Sequence, residues 1–105
     1  MPWIYLVIAG LLEIVWATSM KQSAGFTRLV PSLITLAAMP ASFLLLAIAM
    51  RSLPLGTSYM IWTGIGALGA FIVGIVWLGE SATLLRVLAA AMIAGGMILM
   101  KVASE

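Results

Sequence analysis

The sequence has no cysteine and no histidine. Disulfides and thiolate metal sites are thereby excluded, and the side chain most used for metal ligation and general-base work near neutral pH is missing. Charge is nearly as scarce. Five lysines plus arginines and three acids make 8% of 105 residues, where a soluble domain carries about a quarter. Five scattered cations form no basic stripe, so nucleic acid is not an expected partner; the pI of about 9.5 reflects a shortage of acids. A hydrolase or redox enzyme is not expected, nor any cofactor or metal. What fills the chain is apolar: 65% of its residues are hydrophobic.

These residues fall into four runs, roughly 3–21, 30–50, 57–78 and 84–102. Each is near the ~20 residues a helix needs to cross a bilayer. Polar breaks separate them: Lys21-Gln22-Ser23-Ala24-Gly25, then Arg51 to Gly56, then Gly79-Glu80-Ser81. The breaks are too short to hold a domain. The expected fold is therefore an all-α integral membrane protein, one transmembrane domain over 1–105 with four helices. Met-Pro-Trp-Ile-Tyr at the start lacks a basic region, so the first run reads as a span and not a signal peptide.

Four spans put both termini and the 51–56 loop on one side and the other two loops opposite. Lys21, Arg28 and Arg86 then face Arg51 and Lys101 across the membrane, a bias of three against two. That hardly selects an orientation under the positive-inside rule. Both insertions are expected, and two oppositely inserted copies pair as an antiparallel homodimer, the inverted symmetry that alternating-access transporters use. Four helices this rich in glycine and alanine bury little by themselves, which also asks for a second copy.

Glu13 lies in the middle of the first span. A carboxylate in membrane hydrocarbon costs several kcal/mol unless it is protonated, paired or facing a watery cavity, which makes it a functional-site residue by default. The bland alternative is a neutral, hydrogen-bonded glutamic acid between helices. Helical spacing places Ala9, Gly10, Trp16 and Ala17 on the Glu13 face. Small residues there admit a close neighbour, and Trp16 offers a π face that attracts a planar or quaternary cation. It lies deeper than an interfacial anchor such as Trp3 or Tyr5.

On the third span, Tyr59, Trp62, Thr63 and Gly66 share a stripe, an aromatic wall whose phenol can donate to a carboxylate. Gly64-Ile65-Gly66-Ala67-Leu68-Gly69 has the letters of a dinucleotide-binding loop, but no strand precedes it. In a membrane helix, Gly64, Gly66 and Gly69 read as a bendable hinge. The fourth span carries Ala91, Ala94 and Gly95, a small-residue surface suited to dimerisation. The second supplies Ser42, the best hydroxyl partner for Glu13, beside Met39 and Phe43; Pro40 frees the Leu36 carbonyl, so a kink is expected.

Three stretches together resemble the small multidrug resistance family, in its guanidinium-exporting subtype, over essentially the whole chain. They are Ile8-Ala9-Gly10-Leu11-Leu12-Glu13-Ile14-Val15-Trp16-Ala17, the loop from Lys21 through Gly25-Phe26-Thr27-Arg28 to Ser32, and Leu53-Pro54-Leu55-Gly56-Thr57-Ser58-Tyr59-Met60-Ile61-Trp62-Thr63-Gly64. Gly79-Glu80-Ser81 and Lys101 also look like that subtype. The resemblance implies an antiparallel, dual-topology homodimer in a bacterial inner membrane. Helices 1 to 3 would line the path and helix 4 would dimerise, while Glu13 of both copies would bind substrate and protons in competition. Ser42, Tyr59 and Trp62 match positions that orient the glutamates and line the pocket, with Gly10, Ala17, Met39, Met60 and Thr63 around them. Met60 stands where alanine is usual, and Pro40 departs from the pattern.

The expected activity is proton-coupled antiport exporting guanidinium and small guanidinyl cations. Such cations bridge carboxylates by charge-assisted hydrogen bonds. The alternative is a broader exporter of quaternary ammonium compounds through the same glutamate. A non-transporting partner in a membrane assembly is a third reading, and the short loops offer it little docking surface.

Overall fold

A computed structural model describes residues 2–104, all in helices and short connections. The helices are α1 (Pro2–Gln22), α2 (Leu29–Ala49), α3 (Leu55–Trp77) and α4 (Leu84–Ser104). All four are long and apolar enough to cross a membrane. At ~1.5 Å per residue they match a hydrocarbon core of about 30 Å.

The connections explain where each helix stops. After α1, the buried Ser23 acts as a hub: its hydroxyl donates to the Met20 carbonyl at 2.6 Å and accepts the Phe26 amide at 3.0 Å. Its own carbonyl accepts the amides of Thr27 and Arg28. Ala24, Gly25 and Phe26 all take positive φ, of 50°, 75° and 66°, so the chain reverses through a single left-handed turn. Only glycine does this without steric cost, and the Ser23 bonds offset the cost at its two neighbours. Pro54, fixed in φ, stands immediately before α3. At the far end of α3 the Gly74 carbonyl accepts the amides of both Leu78 and Glu80, and Gly79 turns the chain with φ of 69°. The Thr83 hydroxyl accepts the Arg86 amide and so caps α4.

The helices lie side by side in the order α2, α1, α3, α4, with α2 and α3 barely meeting. The molecule is accordingly a slab of 42 × 34 × 16 Å, little more than one helix thick. A single layer buries only the seams between its helices. On α2 the buried stripe is Thr35, Ala38, Ser42, Leu46 and Ala49, one residue per turn against α1. Leu6 and Ala9 meet Leu46 and Ala49 in the main core cluster, joined by Ile61 and Trp62 from α3. Small residues at these seams let backbones approach closely, which is how helices associate in lipid.

α4 is the least integrated helix. Met97 fills the space beside Gly64, Met100 receives the Thr57 hydroxyl, and Lys101 sits 4.9 Å from the Trp3 ring centroid. Its other side, Leu84, Leu85, Met92, Ile98 and Leu99, is exposed. Two sequence expectations meet the structure here. α2 continues through Pro40 as one helix, and α3 runs unbroken across Gly64, Gly66 and Gly69.

Candidate functional site

Glu13 sits on α1, the second helix of the row, and faces α3. Its carboxyl group occupies the ground where a side chain on Gly66 would be. Oε1 is buried and, among the described residues, has no hydrogen-bond partner. Close approach on both sides holds it there: the Ile65 side chain covers Gly10 one turn before, and Ile14 covers Gly69 one turn after. Glycine at each of the three contacts is a packing requirement, because a Cβ at any of them would strike the neighbour. That is what the structure makes of Gly64, Gly66 and Gly69, expected as hinge residues: they are notches that receive Met97, Glu13 and Ile14.

A chain of aromatic rings runs across α1, α2 and α3. Trp16 meets Phe43 edge to face with centroids 6.1 Å apart, Phe43 meets Trp62 at 5.8 Å, and Trp62 meets Tyr59 at 5.6 Å. Such spacings are the favoured range for aromatic pairs. Phe43 is the link from α2 that closes the series over α1, and sequence spacing alone left it among bulky neighbours of Ser42. The Trp16 indole N–H is buried without a partner among the described residues. The site therefore pairs an unsatisfied acceptor with an unsatisfied donor and several ring faces.

Ser42 does something other than expected. Its hydroxyl donates to the Ala9 carbonyl at 2.7 Å and accepts the Trp62 indole N–H at 3.0 Å, so it ties α2, α1 and α3 together and does not bond Glu13. No hydrogen bond joins the Tyr59 phenol to Glu13 either; Tyr59 is 54% exposed and borders a cleft of about 390 Å³ with Phe43, Met50 and Trp62. The sequence reading of Ser42 as a partner of Glu13 is thus corrected to a strut that orients Trp62. The reason is helix order: with α1 between α2 and α3, Ser42 reaches the α1 backbone first.

The outlying members divide. Gly10 lies in the α1–α3 seam, while Ala17 borders a smaller cleft between the same helices. Met60 and Thr63 open onto an apolar groove of about 800 Å³ between α3 and α4, which Tyr59 also borders. Met39 is half-buried on α2. On α4, Ala91 and Gly95 face outward and Ala94 is partly covered. No group of metal-ligating side chains occurs among the described residues.

Four helices of membrane-crossing length define a multi-pass membrane protein, and the second helix of its row carries an acid with one buried, unpartnered oxygen among the described residues. Residues 1–93 match the family model described as Small Multidrug Resistance protein. A guanidinium exporter of Yersinia pseudotuberculosis is 62% identical over 104 residues, covering 99% of this chain and all of its own length. Guanidinium exporters of Escherichia coli K12 and Salmonella typhimurium are 58% and 56% identical over the full length of both chains. The chain belongs to the small multidrug resistance family.

Proposed function

We propose that the protein is a proton-coupled antiporter that exports guanidinium and small guanidinyl cations from the bacterial cell across its inner membrane, working as an antiparallel homodimer of dual topology. The observation that carries this reading is the Glu13 carboxyl group, packed against Gly66 with one buried, unpartnered oxygen, and Trp16 follows it by three residues on α1. A planar cation with several N–H donors satisfies such an oxygen and stacks on the neighbouring rings. A proton satisfies it equally well, so the two compete. If a glutamate carrying either cargo permits reorientation and an empty, charged pair does not, proton entry drives cation exit. The names of the relatives support the substrate class. A layer one helix thick encloses no path, which supports a second copy.

The cleft beside Phe43, Met50 and Trp62 favours a second reading, in which apolar quaternary ammonium ions use the same glutamate. These ions make no hydrogen bonds and need apolar room. Uptake of guanidinium and of tetraalkylammonium ions into proteoliposomes under a proton gradient separates the two. Guanidinium transport lost in Glu13→Gln is the expected result; a Glu13→Gln protein that still concentrates guanidinium overturns the proposal.

A further inference from the structure

One guanidinium group is already bound within this chain, and it belongs to Arg86. Its planar head lies 5.5 Å from the Phe71 ring centroid, donates to the Ser81 hydroxyl at 3.1 Å and stands 3.6 Å from a Glu80 carboxylate oxygen. Ring face, hydroxyl and carboxylate are the three kinds of group that recognise a guanidinium. The Glu80 carboxyl is held in place because it packs against Gly74, where a Cβ would strike it, and because its amide is tied to the Gly74 carbonyl. Phe71 is fixed on α3.

The cradle also sits at a mouth. Glu80, Thr18 and Lys21 border a cleft of about 300 Å³ between α1 and α3, whose inner wall includes Ala17 and Ala67. Ala17 is one helical turn from Glu13, and Ala67 follows Gly66. The cleft therefore reaches, from the loop end of the layer, residues within about one helical turn of Glu13 and Gly66, which do not themselves line it. Both Arg86 and Glu80 side chains are 40% exposed, and an ion pair in that setting is weak enough to exchange with a competing cation.

We infer that Phe71, Glu80 and Ser81 form an outer subsite for guanidinium-type cations, in which arriving or departing substrate displaces the Arg86 head group. The inference rests on the proposed substrate class and adds a second stop on its route. At Glu80 one guanidinium replaces another, while the tethered Arg86 keeps its own charge nearby in solvent.

The chain has three arginines, Arg28, Arg51 and Arg86, so the side-chain N–H resonances of arginine-labelled protein in lipid nanodiscs are few and Arg86→Lys assigns the relevant one. Guanidinium chloride is titrated against the Glu13→Gln protein, with sodium chloride as the control, and the same titration is run on the unsubstituted chain. A saturable shift of the Arg86 resonance with guanidinium alone, absent in Glu80→Gln, is the expected result in both backgrounds. An Arg86 resonance that stays fixed, moves equally with sodium, or moves together with Arg28 and Arg51 overturns the subsite. Because Glu13 is absent from the first titration, that outcome is independent of whether Glu13 carries transport, which uptake assays decide separately.

Discussion

The Glu13 carboxyl group lies where the first carbon of a side chain on Gly66 would project, so the acid and the glycine share one space. Gly66→Ala must therefore push the carboxyl group away from α3. Misplacing a binding group by about 1 Å costs on the order of a hundredfold in favourable cases, and a loss of at least about tenfold in guanidinium uptake is expected. Gly56→Ala is the control, because nothing lies within 4 Å of a side chain there. Equal uptake by the two variants, at equal protein yield, contradicts the packing argument.

Competition for Glu13 sets the sign of a pH effect. Each proton bound removes a guanidinium site, so the apparent affinity for guanidinium falls as the pH is lowered, and by no more than about tenfold per pH unit for a single shared group. Calorimetric titration of the purified protein at several pH values measures this. The Glu13→Gln protein should lose the pH-dependent component of binding, and any binding left at Glu80 should not follow pH in this way. An affinity that is flat with pH means the two cargoes occupy different groups.

Ser42 joins three helices through two hydrogen bonds, to the Ala9 carbonyl and from the Trp62 indole. Interhelical hydrogen bonds in lipid average about 0.6 kcal/mol and reach about 1.7. Ser42→Ala and Trp62→Phe are each expected to lower stability, and their double-mutant cycle should give a coupling within that range. Unfolding in mixed detergent micelles reads it. A coupling near zero would mean the indole and the hydroxyl do not depend on one another.

Phe43 touches both Trp16 and Trp62 and walls the cleft that Tyr59 borders. Truncation to alanine removes a ring without removing any hydrogen bond. The ratio of tetrapropylammonium to guanidinium transport should rise, because the larger apolar ion gains room and the planar ion loses a stacking face. Rates for the two ions measured in the same vesicles test this; an unchanged ratio excludes Phe43 from the selection of substrate.

The four spans were legible in the sequence, and Glu13 and the tryptophans stood out in it, because each is a local fact: a run length, a charge out of place, a spacing of three or four. The role of Ser42 was not, since it depends on α1 lying between α2 and α3, and apolar periodicity says nothing of which helices are neighbours. The same ignorance hid Phe43 and the side chains that the α3 glycines receive. A glycine that bends a helix and a glycine that receives a neighbour's side chain look alike until that neighbour is placed. Thr63, placed near Trp62 by helical spacing, and Met60, placed at the pocket by the resemblance, border the groove toward α4 together with Tyr59.

α4 offers the clearest test of how two copies meet. Ala91 and Gly95 face outward, and a side chain on Gly95 or Gly96 would meet nothing within 4 Å, so a second helix can approach closely there. The chain has no cysteine, which lets single thiols be introduced without background. α4 runs Leu84–Ser104, and Gly95 is near its midpoint. If two α4 helices pack antiparallel, midpoints coincide and ends are exchanged. Gly95→Cys should then form a disulfide-linked dimer on oxidation in native membranes. Leu88→Cys and Val102→Cys, seven residues either side of Gly95 on one face, should each link poorly alone and link well when the two variants are expressed together. Parallel packing reverses the last result: each end variant would link to itself, and mixing the two would add nothing.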